Sequence, residues 1–267
     1  MLLQAFLVLA GVAVWAQANS GLTGIITDQS GALVADAKIV LTDTATGVTK
    51  TTVSGSTGLY VISGLNPSSY NMKISAKGFQ AYAQNGIVIN VSSSVRSDIK
   101  LTVGAESQTV TVTADQLVVQ TDTNVISSLV NAEQITEIAT QNRNFASLAA
   151  MGLGVTTVIP DSNTPTSVGA SFKLSANGLR YSHNIWLIDG GESDDRGGAG
   201  GMASMPSQDA IDEFNMLTSN YPPDYGISSG ATISLSLKSG KQKYHGEVWE
   251  FNRNTDSLLS KIAFSAN

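Results

Sequence analysis

Between residues 21 and 103, short runs of alternating apolar and polar residues are separated by turn-forming clusters. That is the pattern of strands with one buried and one solvated face. The runs predict strands at 22–27, 38–43, 48–53, 60–62, 70–76, 87–91 and 95–103. Gln29-Ser30-Gly31, Thr46-Gly47, Ser56-Thr57-Gly58 and Asn66-Pro67-Ser68-Ser69 punctuate them, each with a residue suited to a turn. Seven strands at that spacing predict a small β-sandwich.

Beyond the sandwich the periodicity changes. Gln108-Thr109-Val110-Thr111-Val112-Thr113-Ala114 alternates β-branched residues inside a polar, Thr-rich connection. The most helical stretch is 131–149: Asn131 can cap with Gln134 three positions on, Ile135, Ile138 and Ala139 form one apolar stripe, and Phe145, Leu148 and Ala149 form another after a break. A short helix is expected at 207–214, opened by Pro206 with Asp209, Asp212 and Glu213 early, where the helix dipole favours acidic residues. Period-two alternation then returns at Ala231-Thr232-Ile233-Ser234-Leu235-Ser236-Leu237 and at Glu247-Val248-Trp249-Glu250-Phe251. Strands of this kind face something apolar on one side and something polar on the other, as lipid and lumen do in a transmembrane barrel.

Composition narrows the classes. Charged residues make up 13% of the 267 residues, about half the roughly 25% of ordinary soluble domains. Net charge is -6 with no basic stripe, so the counterion-release term on which nucleic-acid binding rests is missing. The chain has no cysteine, which rules out disulfides, thiolate metal sites and cysteine nucleophiles. At the N-terminus, residues 2–15 are apolar apart from Gln4, and Ala16-Gln17-Ala18 supplies a small-x-small cleavage pattern. The run is too short to span a membrane as a helix and predicts a secretory signal ending at Ala18, although the usual positive leader is absent.

Three clusters look like chemistry. Gly226-Ile227-Ser228-Ser229-Gly230 matches the G-x-S-x-G pattern, but a nucleophile elbow needs a core strand before it and a helix after it, and here the order is inverted. His183 and His245 stand 62 residues apart without a helical partner, so neither a triad nor a metal site is expected from them. Asp189-Gly190-Gly191-Glu192-Ser193-Asp194-Asp195-Arg196 gathers carboxylates in a glycine-rich loop without the spacing of a calcium loop. No metal, no cofactor and no covalent catalysis are expected.

The residues also carry resemblances. Gly24-x-Ile26-x-Asp28-x-x-Gly31, Thr46-Gly47, Gly58-x-Tyr60, Leu65-x-Pro67-x-x-Tyr70 and Gly78-Phe79 resemble the carboxypeptidase regulatory-like domain, a non-catalytic, prealbumin-like sandwich. Asn177-Gly178, Trp186-Leu187-Ile188-Asp189-Gly190, Ala210-Ile211-Asp212-Glu213-Phe214, Thr218-Ser219-Asn220-Tyr221, Asp224-Tyr225-Gly226, Lys238-Ser239-Gly240 and His245-Gly246 with Glu250-Phe251 resemble, in order, the plug-to-barrel junction of TonB-dependent outer-membrane receptors of the Oar-like type. Pro222-Pro223 and Lys241-Gln242-Lys243 depart from that pattern.

The resemblance implies a mainly β chain with an α+β part. Its segments would be a signal peptide at 1–18, a regulatory-like sandwich at 21–103, a linker at 104–124, a plug at 125–229 and the start of an outer-membrane barrel at 230–267. It also implies that Gln108, Thr109, Val110, Thr111, Val112, Thr113 and Ala114 are a TonB box, gripped by the periplasmic energy-coupling protein through strand addition. Asp194, Asp195 and Arg196 would contact solute at the outward apex of the plug. The implied activity is energy-coupled uptake of a scarce solute, in contact with outer-membrane lipid. A plugged barrel has about 22 strands of about ten residues, whereas 230–267 offers 38 residues, so the reading frame is expected to continue beyond Asn267. The rival reading is a secreted β-rich adhesion or carbohydrate-binding protein without transport.

Overall fold

A computed structural model describes residues 20–105, 109–113, 124–138, 145–158, 173–194, 202–225 and 229–241. The expected signal at 1–18, Gln108, Ala114, Asp195, Arg196, Ser228, His245 and the alternating run at 247–251 lie outside the described residues.

The first unit is a two-sheet sandwich. Strands β1 (Ser20–Thr27), β4 (Leu59–Leu65), β7 (Ser94–Arg96) and β8 (Ile99–Lys100) make one sheet, in which β1 pairs with the other three. Strands β2 (Lys38–Asp43), β3 (Thr49–Val53), β5 (Ser68–Ser75), β6 (Ala81–Ile89) and β9 (Thr109–Thr113) make the other, in the order β3-β2-β5-β6-β9. The run at 95–103, read as one strand, is two short ones. Alternation places Leu22, Ile26, Ile39, Leu41, Tyr60, Met72, Ile74, Ile87 and Ile89 between the sheets, where burial of apolar area supplies the driving force. Tyr60 and Tyr70 belong to this core, their hydroxyls donating to the carbonyls of Ser97 at 2.7 Å and Asn66 at 2.8 Å. The Asp28-x-x-Gly31 turn closes through the Asp28 carboxylate, which accepts from the amides of Ser30 at 2.8 Å and Ala32 at 2.9 Å.

The second unit is mixed. Its main sheet runs β10 (Ile126–Val130), β15 (Ile211–Ser219), β16 (Thr232–Leu237), β13 (Ile185–Ile188), β14 (Gly191–Glu192). A two-stranded sheet of β11 (Val155–Val158) and β12 (Lys173–Ala176) lies beside it. Helix α1 (Ala132–Glu137) starts with the anticipated capping box: the Asn131 side chain accepts from Gln134 N and the Gln134 side chain accepts from Asn131 N. Ile135 from α1, Leu148 and Ala149 from α2 (Ala146–Ala149), and Phe145 cover one face of the sheet together with Trp186, Phe214, Met216, Ile233 and Leu235. Phe145 sits edge-on to Trp186 and to Phe214, with ring centroids 6.4 Å apart in each pair.

Two expectations change here. The helix expected at 207–214 is a single 3-10 turn, Gln208–Ala210, followed at once by strand β15. Local capping signals lose to tertiary pairing, because β15 is hydrogen-bonded on both sides, to β10 and to β16. The alternation at Ala231–Leu237, which predicts a barrel strand with lipid on one side, belongs to the sheet interior. There β16 lies between β15 and β13, and both of its faces are buried. A start of the barrel at 230 is therefore overturned for these residues.

Candidate functional site

The segment 109–113 forms β9 because β-branched residues suit an extended backbone. It pairs in parallel with β6, with Ala81 opposite Thr109, Tyr82 opposite Val110, Ala83 opposite Thr111, Gln84 opposite Val112 and Asn85 opposite Thr113. β9 is the edge of its sheet. Val110 and Val112 are 38% and 40% exposed, Thr109 and Thr111 are exposed too, and none of these four contributes to the sandwich core. The strand is held by backbone pairing with β6 and by partly covered valines, and no residue from 109 to 112 is buried, which makes it a low-stability element on a stable support. Its uncharged, proline-free outer edge is a template for strand addition.

The Asp-Gly element after β13 is the turn into β14. Asp189 has φ 48° and Gly190 φ 81°, the positive values that a tight hairpin requires. The Asp189 carboxylate accepts from Leu237 N at 2.9 Å, tying this turn to the end of β16. Asp194, expected to face solute, is half-buried, and one of its carboxylate oxygens accepts from Trp186 N at 3.1 Å. It therefore anchors the base of the acidic loop.

Sequence reasoning missed the seam between the two units. Just past the C-terminal end of β6, Val91 N donates to Glu213 Oε2 at 2.8 Å, and Asn215 Nδ2 donates to the Val91 carbonyl at 2.9 Å. Ser92, at φ 52°, donates to Ser234 Oγ at 2.7 Å. Burial pushes the Glu213 carboxyl up to about 7, against the lowering effect of the Val91 amide and helped by the negative charge of Asp212. Beside this latch lies a cleft of about 440 Å³ lined by Ser20, Asn66, Ser92, Asp189, Asp212 and Lys238 among others. The available signal was the placement of Asn215 within the apolar run from Phe214 to Leu217, and of serines on one face of β16. Buried polar groups need partners, and here the sandwich supplies them for the Asn215 amide nitrogen and for Ser234, while Asn215 Oδ1 and Thr232 Oγ1 stay buried without one among the described residues.

His183 Nδ1 lies 2.9 Å from Ser229 Oγ, both residues being exposed. The structure thus brings His183 to the serine after the one in the G-x-S-x-G pattern. A Cβ at Gly230 would meet Asn184 Oδ1 at 2.4 Å and the His183 carbonyl at 2.9 Å. That glycine admits a close backbone approach at the start of β16, a packing role. Among the described residues no group of three or more His, Cys, Asp or Glu is placed to hold a metal.

Residues 21–102 match the family model of the carboxypeptidase regulatory-like domain. Over 249 residues, 90% of this chain, the sequence is 25% identical to the TonB-dependent transporter Oar of Myxococcus xanthus, of which the chain spans 22% of the length. Among solved structures, the outer membrane transporter YddB from Escherichia coli overlaps 43% of this chain and 17% of its own, at 20% identity and a TM-score of 0.37. The siderophore receptor PirA from Acinetobacter baumannii also overlaps 43% and 17%, at 15% identity and a TM-score of 0.32. Both overlaps are too partial to bear on function. Residues 21–102 thus match the carboxypeptidase regulatory-like domain, and over nine-tenths of its length the chain is similar to a TonB-dependent transporter.

Proposed function

We propose that this chain is part of an outer-membrane transporter whose uptake is driven by a periplasmic TonB-type protein. The observation that carries the reading is the similarity to the TonB-dependent transporter Oar across both units and the connection between them. In this reading residues 1–18 direct export, 21–103 are a periplasmic sandwich, 104–124 hold the coupling segment, and the unit from 125 through β16 is a plug. Residues 108–114 are the handle, engaged by strand addition, and an edge strand with residues 109–112 exposed supports that role. Asp194, Asp195 and Arg196 are the solute-facing group, with Asp194 anchoring the loop through Trp186 N. The work is mechanical, and no residue forms a covalent intermediate.

The test is a cysteine scan, helped by the absence of native cysteine from this sequence. With single cysteines at 108 to 114 and a cysteine on the binding strand of the coupling protein, crosslinks should be confined to that window. Val110→Pro or Val112→Pro should abolish them, since proline removes a backbone donor and fixes φ, while Val110→Ile should be mild. Equal crosslinking from positions 121 to 130 would move the handle elsewhere.

A further inference from the structure

Val103 bridges Phe79, and Gly104 N donates to the Gly78 carbonyl at 3.2 Å, which brings the chain to the start of β6 just before β9 pairs along it. From β9 the hydrogen-bonded path continues without interruption. β9 pairs with β6 over five positions, β6 ends at Ile89, and two residues later Val91 and Ser92 are tied to Glu213, Asn215 and Ser234 on the two central strands of the second unit. β6 does not depend on β9 for its place, because Ile87 and Ile89 are fixed in the sandwich core and β5 pairs along its other edge.

The covalent route is different. It runs through the chain itself, with ten residues between Thr113 and Asn124. We infer that a pull on residues 109–113 reaches the second unit through the sandwich, by way of β6 and the Val91–Ser92 latch on β15 and β16. The carboxypeptidase regulatory-like domain is then a force-transmitting strut, with the latch as its output. This rests on the reading of 108–114 as the coupling segment. Contiguity alone does not establish coupling, so the latch must be broken and remade.

The experiment uses the receptor in its own outer membrane with Ile233→Cys as its sole cysteine. Ile233 is fully buried beneath the helices of the second unit, so a maleimide probe added to cells reports opening of that unit without knowledge of the solute. Labelling should rise when the cells are energised. In the Glu213→Ala/Asn215→Ala/Ser234→Ala background, which removes every side chain of the latch on β15 and β16, it should fall back to the de-energised rate, while crosslinking of the coupling protein to 109–113 persists. A second background guards against mere loss of folding. In Ser92→Cys/Ser234→Cys, read at position 233 by proteolysis of the opened unit instead of labelling, the oxidised pair should open on energising even when Glu213→Ala and Asn215→Ala are present, and reduction should abolish that opening. Crosslinks at 109–113 with labelling that rises equally in parent and unlatched receptors, or does not rise in the parent, would overturn the strut and leave the coupling segment standing. Loss of the crosslinks from the parent would remove the coupling segment and with it the strut.

Discussion

β1 and β16 both alternate in sequence, yet they are buried differently. Along β1, every second residue from Ser20 is buried and the others are half-exposed, as in any sheet with one face on a core. Along β16, Thr232, Ile233, Ser234, Leu235 and Ser236 are all buried. Ile233 and Leu235 join Phe214 under the helices, while the hydroxyl face turns to the sandwich, where Ser234 meets Ser92. Alternation reports that two faces meet different surroundings. It does not report whether the polar face meets water, a lumen or another domain.

The difference should appear first in the cost of core changes. Phe214→Ala removes a ring packed on Phe145 from a strand paired on both sides. It should cost about 3–5 kcal/mol, lowering the unfolding transition of the second unit while that of the sandwich stays in place, as two-transition calorimetry would record. A single transition that shifts as a whole would mean that the two units unfold together.

Acid and base should separate the regions next. Glu213 has its folded value raised to about 7 from an ordinary 4.5. Its contribution is therefore fully present below about 4.5 and is lost as pH rises through 7, by at most roughly 3 kcal/mol. In the sandwich, burial alone would raise the Asp43 carboxyl, but hydrogen bonds from Ser68, Thr46 and Ala45 outweigh it and hold it below its ordinary 3.8. That contribution is present above 3.8 and is lost on acidification. The seam should thus weaken toward pH 8 and the sandwich toward pH 3. Glu213→Gln keeps an acceptor for Val91 N and should flatten the upper limb of the seam's profile in thermal melts from pH 5 to 8. A limb that survives in Glu213→Gln would assign the dependence to another group.

Effects on β9 should be smaller for stability than for coupling. Val110→Pro breaks strand pairing but empties no core site, so sandwich stability should fall by no more than about 1 kcal/mol, one net hydrogen bond. Amide exchange at 109–113 should speed up while exchange at Ile87 and Ile89 stays slow. Fast exchange at those two positions would show that β6 leans on β9. The smallest change is expected on the outer face of β4, where Val61 is 53% exposed. Val61→Thr should alter the sandwich melt by less than about 0.5 kcal/mol.

Legibility follows the range of the forces involved. The turns at Asp28-x-x-Gly31 and Thr46-Gly47 and the Asn131 capping box were readable, since each is set by residues within a few positions of one another. At 207–214 the same local logic misleads. Pro206 and the acidic residues after it start a turn, and pairing with β10 and β16, whose partner residues lie 84 to 93 positions before and 15 to 26 after, then takes over. The segment 109–113 was legible as a β-former, but its place on β6 was not, because Thr-Val repeats suit any sheet edge.

The sequence by itself determined a seven-run β pattern ending in a sandwich, a capped helix and a mainly β chain. Those outcomes rest on steric turn preferences, on period-two burial and on composition, all properties of neighbouring residues. Only the tertiary structure decided that residues 109–113 lie on β6, that β16 sits inside a sheet, and that Val91 and Ser92 hydrogen-bond to Glu213, Asn215 and Ser234. A buried polar side chain announces that it needs a partner, but the partner's identity is set by which distant backbone the fold brings within 3 Å.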